Sequence, residues 1–247
     1  RDRPPSKMKP RILFTLLIAA AIFTVQAASK RPNIILAMAD DQGWGDMGYM
    51  GHKVLKTPVF DEMAKTGLRF DRFYAAAPVC SPTRASVLTG RHPNRYGTFT
   101  PGYSIRPKEI TMAHLLAKAG YHCGHFGKWH LGPVKKDSPT NPRAMGFHEY
   151  VSHDNFYEMD PPFSRNGGPP VIIKGEGSEV TIDETLRFIE DARKREKPFL
   201  AVVWFGSPHE PYSGLAKDLA LYDNLPKEYA ERKVRLTSNK TGRPTQR

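Results

Sequence analysis

EVTIDETLRFIEDARKREKPFLAVVWFGSPHEP, residues 179–211, changes character once. From about Ile182 to Arg195 it reads as a helix, and Pro198 breaks it. Phe199 to Phe205 then form an unbroken apolar run, the pattern of a strand buried on both faces. A polar stretch containing His209 follows directly. A helix that feeds such a strand belongs to a sheet with helices packed on its faces.

The same theme recurs upstream. RPNIILAMADD (31–41) is an apolar run closed by two aspartates, a buried parallel strand from Asn33 to Ala39 with Asp40 and Asp41 at its carboxyl end. TPVFDEMAKTGLRF (57–70) reads as a short helix stopped by Gly67, followed by a strand from Leu68 to about Tyr74. PKEITMAHLLAKAGYHCGHFGKWHLG (107–132) reads as a helix around Glu109 to Ala119, Gly120 past its end, and a strand near Tyr121 to Phe126. The expected fold is α/β, with a mainly parallel or mixed central sheet flanked by helices. Residues 132–180 break the rhythm. They are rich in proline, glycine and polar residues around DPPFSRNGGPP (160–170), which predicts a long surface excursion over the site.

The 247 residues suffice for one large domain or two small ones, and no internal repeat stands out. The net charge of +12 suggests nucleic acid, but its placement argues otherwise. Residues 1–31 carry a net +6 and residues 227–247 a net +5, which leaves +1 for the 195 residues between them. The body has no basic helix or basic–aromatic stripe, so no nucleic-acid partner is expected.

MKPRILFTLLIAAAIFTVQAASK, from Met8, has early basic residues, an apolar run from Ile12 to Val25, and then Val25-Gln26-Ala27 as a small-x-small site. The run is short for a bilayer span. It reads as a secretory signal peptide, with a retained anchor as the alternative. Residues 1–28 are thus upstream residues plus signal, and residues 29–247 the mature part. The protein is expected to be exported, periplasmic or secreted, touching the membrane only transiently.

Cys80 and Cys123 are too few for a disulfide scaffold. Cys123, in an apolar stretch, reads as a core thiol. His122, Cys123, His125 and His130 raise a zinc reading. Along a strand, however, His122 and Cys123 point to opposite faces, and the spacing matches no common zinc module.

Asp40 and Asp41, Cys80, Lys128 and His130, and His209 each follow an expected strand. In open α/β sheets that carboxyl edge is where ligands bind. Within APVCSPTRASVLTG (77–90), Pro82 suits a first helical turn, so a helix begins at Ser81 or Pro82 with Cys80 at its mouth. Free N–H groups there favour an anion, and Arg84 adds a positive charge. Two readings stay open on position alone: a nucleophile beside an oxyanion-binding helix end, and a structural cysteine near a turn. A cysteine-phosphatase loop does not fit, because it needs its arginine at position 86, where Ser86 stands.

CSPTRASVLTG resembles the sulfatase signature, Cys-x-Pro-x-Arg followed by Leu-Thr-Gly. Cys80, Pro82, Arg84 and Leu88-Thr89-Gly90 match, and Thr83 stands where many members carry serine. NIILAMADDQGWGDMGYMG (33–51), GKWHLG (127–132) and SPHEP (207–211) are similar to the other N-terminal blocks of that family, in family order. The resemblance runs from about Arg31 to Tyr212 and implies an alkaline-phosphatase-like fold, here truncated.

It also implies an arylsulfatase-like sulfuric ester hydrolase acting on a sulfated small molecule or polysaccharide. By resemblance, a formylglycine-generating enzyme oxidises Cys80 to formylglycine during export. The hydrated aldehyde then attacks sulfur, and its second hydroxyl loses a proton to release sulfate. Asp40, Asp41 and residue 80 would hold Ca²⁺, with Mg²⁺ as the other candidate. Arg84 would support the modified residue, and Lys128 would contact sulfate and diol. His130 would take the proton, and His209 would serve the leaving oxygen. Ser152 or His153 are further candidates for lining the pocket, and Asn239-Lys240-Thr241 is a glycosylation sequon.

Two other readings remain. One is a phosphodiesterase or phosphonate hydrolase of the same superfamily. The other is an inactive truncated domain that binds sulfated glycans. Members of the family complete the metal site with a downstream Asp–Asn or Asp–His pair and add a second lysine. Neither occurs before Arg247. The expectation is an N-terminal part of a sulfatase domain, inactive or poorly folded by itself.

Overall fold

The computed structural model describes residues 31–155, 157–210 and 212–230. The expected signal peptide and the 239–241 sequon lie outside the described residues. The strands are β1 (Ile34–Met38), β2 (His122–Lys128), β3 (Glu149–His153), β4 (Pro162–Arg165), β5 (Val171–Ile172) and β6 (Phe199–Trp204). They form one sheet in the order β1-β6-β2-β3-β4-β5. The first four of that order run parallel, and β4 and β5 add antiparallel. The register sets Met38 and Gly127 on either side of Trp204, and Lys128 opposite His153.

β6 is buried along its whole length, because it lies inside the sheet with side chains alternating between two cores. Leu200, Val202 and Trp204 join Cys123, Tyr150 and Leu88 on one face. Phe199, Ala201 and Val203 join Phe126, Phe163 and Phe188 on the other. A strand with two apolar faces can carry no polar alternation, hence the unbroken run.

The helices that matter here are α1 (Pro58–Thr66), α2 (Cys80–Thr89), α3 (Pro93–Tyr96), α4 (Met112–Lys118) and α5 (Gly177–Lys194). α2 and α4 supply Ala85, Leu88 and Ala113 to the first core, while α5 supplies Val180, Phe188 and Ala192 to the second. α4 opens on a capping box in which Thr111 and His114 satisfy each other's backbone N–H. The Glu176 carboxylate accepts from Ser178 N and Glu179 N at the start of α5. No helix among the described residues is long and apolar enough to cross a membrane.

Two expectations are corrected. Leu68–Tyr74 is not a strand: the segment is irregular and exposed, with Leu68 at 83%. A strand needs a partner for its ladder, and among the described residues none pairs with this segment. Residues 132–180 are not a surface excursion either. They hold β3, β4 and β5, and place Val134, Met145, Phe147 and Tyr150 in the core. The prolines and glycines sit around these short strands, which masks a pattern only a few residues long.

Candidate active site

The carboxyl edge of the sheet gathers the site. β1 ends at Met38 and delivers Asp40 two residues on, and Asp40 N–H donates to Ser207 O at 3.0 Å, tying this end to the loop after β6. β2 ends on Lys128, and His130 follows two residues later. His209 lies on the loop after β6. α2 contributes Cys80 and Arg84. The helix starts at Cys80 rather than at Ser81 or Pro82. Extended Val79 precedes it (φ −152°, ψ 159°), not the strand that had been expected.

Gly127 lets β2 turn Lys128 inward. Its φ is +96°, and a Cβ there would sit 2.0 Å from the Trp204 carbonyl oxygen. Only glycine tolerates both the left-handed backbone and the close approach of β6.

Three charged side chains meet in the interior: Lys128 is 0% exposed, Arg84 1% and Asp40 4%. Asp40 Oδ1 accepts from Arg84 Nη2 at 3.0 Å, and Oδ2 accepts from Lys128 Nζ at 2.5 Å. Arg84 Nη1 donates to the Lys128 carbonyl at 3.0 Å. Lys128 Nζ also lies 3.7 Å from Cys80 Sγ. Two cations and one anion leave this buried triad at a formal +1, a centre suited to an anionic ligand.

Protonation states follow from that arrangement. Burial raises the Asp40 carboxyl, but Arg84 and Lys128 outweigh it, so its pKa ends below the usual value. The Cys80 thiol is pushed up by burial and Asp40, against a smaller pull from Lys128 and Arg84. A raised thiol is the reverse of what thiolate catalysis requires. Burial, with Lys128 and Arg84, pushes His130 down to about 4, so its ring is neutral near pH 7. His130 and Asp41 both hold left-handed backbone, at φ 52° and 60°, a strained conformation that tends to gather at functional sites.

His209 Nδ1 lies 2.6 Å from Glu210 O. A carbonyl only accepts, so Nδ1 carries a proton. His209 Nε2 is 3.3 Å from Asp41 Oδ2, and the Asp41 side chain is 57% exposed. Asp40, Cys80 and His209 offer ligand atoms within 4.8 Å of one another, a set that does not include Asp41. Carboxylate oxygens suit a hard cation such as Ca²⁺ or Mg²⁺, and both oxygens of Asp40 are paired here with Arg84 and Lys128. A thiol does not fit one, whereas an oxygen-bearing side chain at position 80 would.

The residues of the zinc reading do not converge. His122 Nε2 pairs with Glu149 Oε1 at 2.8 Å, Cys123 lies in the first core, and His125 Nδ1 pairs with Ser152 Oγ at 2.8 Å. Cys123 is a buried free thiol pushed up to about 12 by burial. Ser152 is buried in β3 with its Oγ against His125, and His153 Nδ1 accepts from Asn155 N. The residue overlooked in the sequence is Trp204, whose ring lies under Arg84 with Cζ 4.9 Å from its centroid. Its one sequence signal is a large aromatic at the last position of a strand whose carboxyl edge carries the site.

The fold and this edge define an α/β protein of the alkaline-phosphatase-like class. The sulfatase family model matches residues 32–245, and the chain belongs to the sulfatase family. It is 40% identical over 238 residues to arylsulfatase A of Homo sapiens, which covers 82% of this chain and 45% of the relative. It is 33% identical over 232 residues to N-acetylgalactosamine-6-sulfatase of Mus musculus, covering 79% of this chain and 44% of the relative. The structure matches that of Ps i-CgsB in complex with k-i-k-neocarrahexaose at a TM-score of 0.72 and 27% identity, over 81% of this chain and 50% of that one. The chain therefore spans less than half the length of the two relatives it matches in sequence.

Proposed function

We propose that the protein works as a sulfuric ester hydrolase whose Cys80 is converted to formylglycine and whose Asp40 and Asp41 hold a divalent cation, Ca²⁺ or Mg²⁺. The observation that carries this reading is the buried triad of net charge +1 placed directly against Cys80. The modified side chain would supply the oxygen nucleophile, and the cation would supply charge that favours an ionised oxygen.

The chain's own residues do the rest. Lys128, fixed by Asp40, aims its ammonium at the place where a sulfate oxygen meets residue 80. Arg84 locks Asp40 and the Lys128 backbone together. His130, neutral at physiological pH, accepts a proton at the step that frees sulfate. His209, oriented through Nδ1 by Glu210 O, presents Nε2 to the leaving oxygen.

Burial and Asp40 push the Cys80 thiol up, away from thiolate chemistry, which supports an oxidised side chain with a formylglycine-generating enzyme as maturation partner. Export to the periplasm or the exterior accompanies that maturation. The substrate is a sulfated small molecule or a sulfated saccharide, in line with the names of the relatives. The test is the mass of the tryptic peptide Phe73–Arg84 from protein made in its native host, together with turnover of aryl sulfate against aryl phosphate. An aldehyde at position 80 and faster sulfate turnover are expected. An unmodified thiol in active protein, or preference for phosphate, overturns the reading.

A further inference from the structure

We propose that Trp204 is a positioning residue: its indole face holds the Arg84 guanidinium, and through it Asp40, in the geometry the site needs. This rests on the reading of Arg84 and Asp40 as parts of the working site.

Arg84 is buried, and its two terminal nitrogens are spent on Asp40 and on the Lys128 carbonyl. Its Nε is buried with no hydrogen-bond partner. A buried guanidinium with an unmatched N–H needs another source of compensation, and the ring face 4.9 Å from Cζ provides it. In a desolvated setting a cation over an indole gains most, and indole is the best of the aromatic faces.

Trp204 is itself held from several sides. Its backbone lies between Met38 and Gly127 in the ladder. The His125 ring meets it edge-on at 4.9 Å and 87°, and Trp129 lies near-parallel at 6.0 Å and 20°. His125 is in turn oriented by Ser152 Oγ at 2.8 Å. Burial and the Arg84 charge hold the His125 pKa well below its usual value, so the brace adds no second cation beside the guanidinium. Ser152, His125, Trp204, Arg84 and Asp40 thus form one continuous chain of contacts from the middle of the sheet to the site. The indole cannot rotate away without displacing two rings, and Arg84 cannot leave it without breaking its bond to Asp40.

The test reads Arg84 directly. In arginine-labelled protein, the Arg84 Nε–H resonance, assigned by its loss in Arg84→Lys, is expected to be shifted upfield by the ring and to exchange slowly with water. Trp204→Leu is expected to abolish the upfield shift and speed exchange more than about tenfold, while Trp204→Phe keeps most of both. In protein that turns over a sulfate ester, Trp204→Leu lowers kcat by about tenfold with KM changed less than about threefold. An Arg84 resonance in the unmutated protein that is unshifted or exchanges freely overturns the proposal, even if Trp204→Leu fails to fold. So does a folded Trp204→Leu variant with the wild-type resonance. Absence of sulfate turnover in every variant bears on the proposed function alone, because the resonance needs no catalysis.

Discussion

Replacing Asp40 by asparagine keeps the shape of the side chain and removes the one charge that Arg84 and Lys128 share. Both cations are buried, and both bond the Asp40 carboxylate. Breaking a buried ion pair by removing one partner costs about 3–5 kcal/mol, because the remaining charge stays out of water without compensation. For a chain of this size each kcal/mol moves the melting temperature by about 2–4 °C, so Asp40→Asn is expected to lower it by roughly 6–20 °C. Lys128→Met retains the aliphatic stem and leaves Asp40 paired with Arg84 in a neutral couple, so it costs less. The double variant leaves a single buried cation, and it is expected to be more stable than the sum of the two single losses by more than about 1 kcal/mol. Melts followed by circular dichroism at neutral pH, without added divalent cation, measure all three. An Asp40→Asn melt within about 2 °C of wild type, or strict additivity in the double variant, refutes the buried-triad reasoning.

Three further outcomes are expected. His130 has an ordinary pKa of 6.5 and a folded one of about 4, so between those values the unfolded chain binds the proton first. Stability present above pH 6.5 is therefore lost as pH falls towards 4, by about 3 kcal/mol from this residue, with buried His125 adding in the same direction. Urea midpoints across that window check the sign, and His130→Gln should flatten the slope. Gly127→Ala is expected to cost at least about 2 kcal/mol, whereas Gly45→Ala, with open space around its Cβ, stays within about 1 kcal/mol in the same titration. Cys80→Ala is expected to abolish turnover of an aryl sulfate while its melting temperature stays within about 4 °C of wild type, which separates a chemical role from a structural one.

The fold was legible where the pattern is local. The doubly buried β6, the apolar run of β1, and the helices α1, α4 and α5 follow from periodicity, breakers and stops that a few neighbouring residues carry. Leu68–Tyr74 has a strand's composition, but a strand exists only beside a partner, and its composition does not say whether one is there. β3 shows the converse: five residues, Glu149–His153, become a central strand because they pair with β2.

The site divides along the same line. Asp40, Cys80, Arg84, Lys128, His130 and His209 could be named as candidates from the sequence because their motifs are short and contiguous. Their relations could not be read there. Asp40, Arg84, Lys128 and Trp204 are each dozens of residues apart in the chain, and hydrogen bonds, burial and ring contacts depend on distance in space. The sequence by itself determined which chemical groups are present and which elements carry them. Only the tertiary structure decided that two cations share one carboxylate, that an indole lies beneath one of them, and that burial leaves His130 neutral, since desolvation and Coulomb forces act between side chains that only folding brings together.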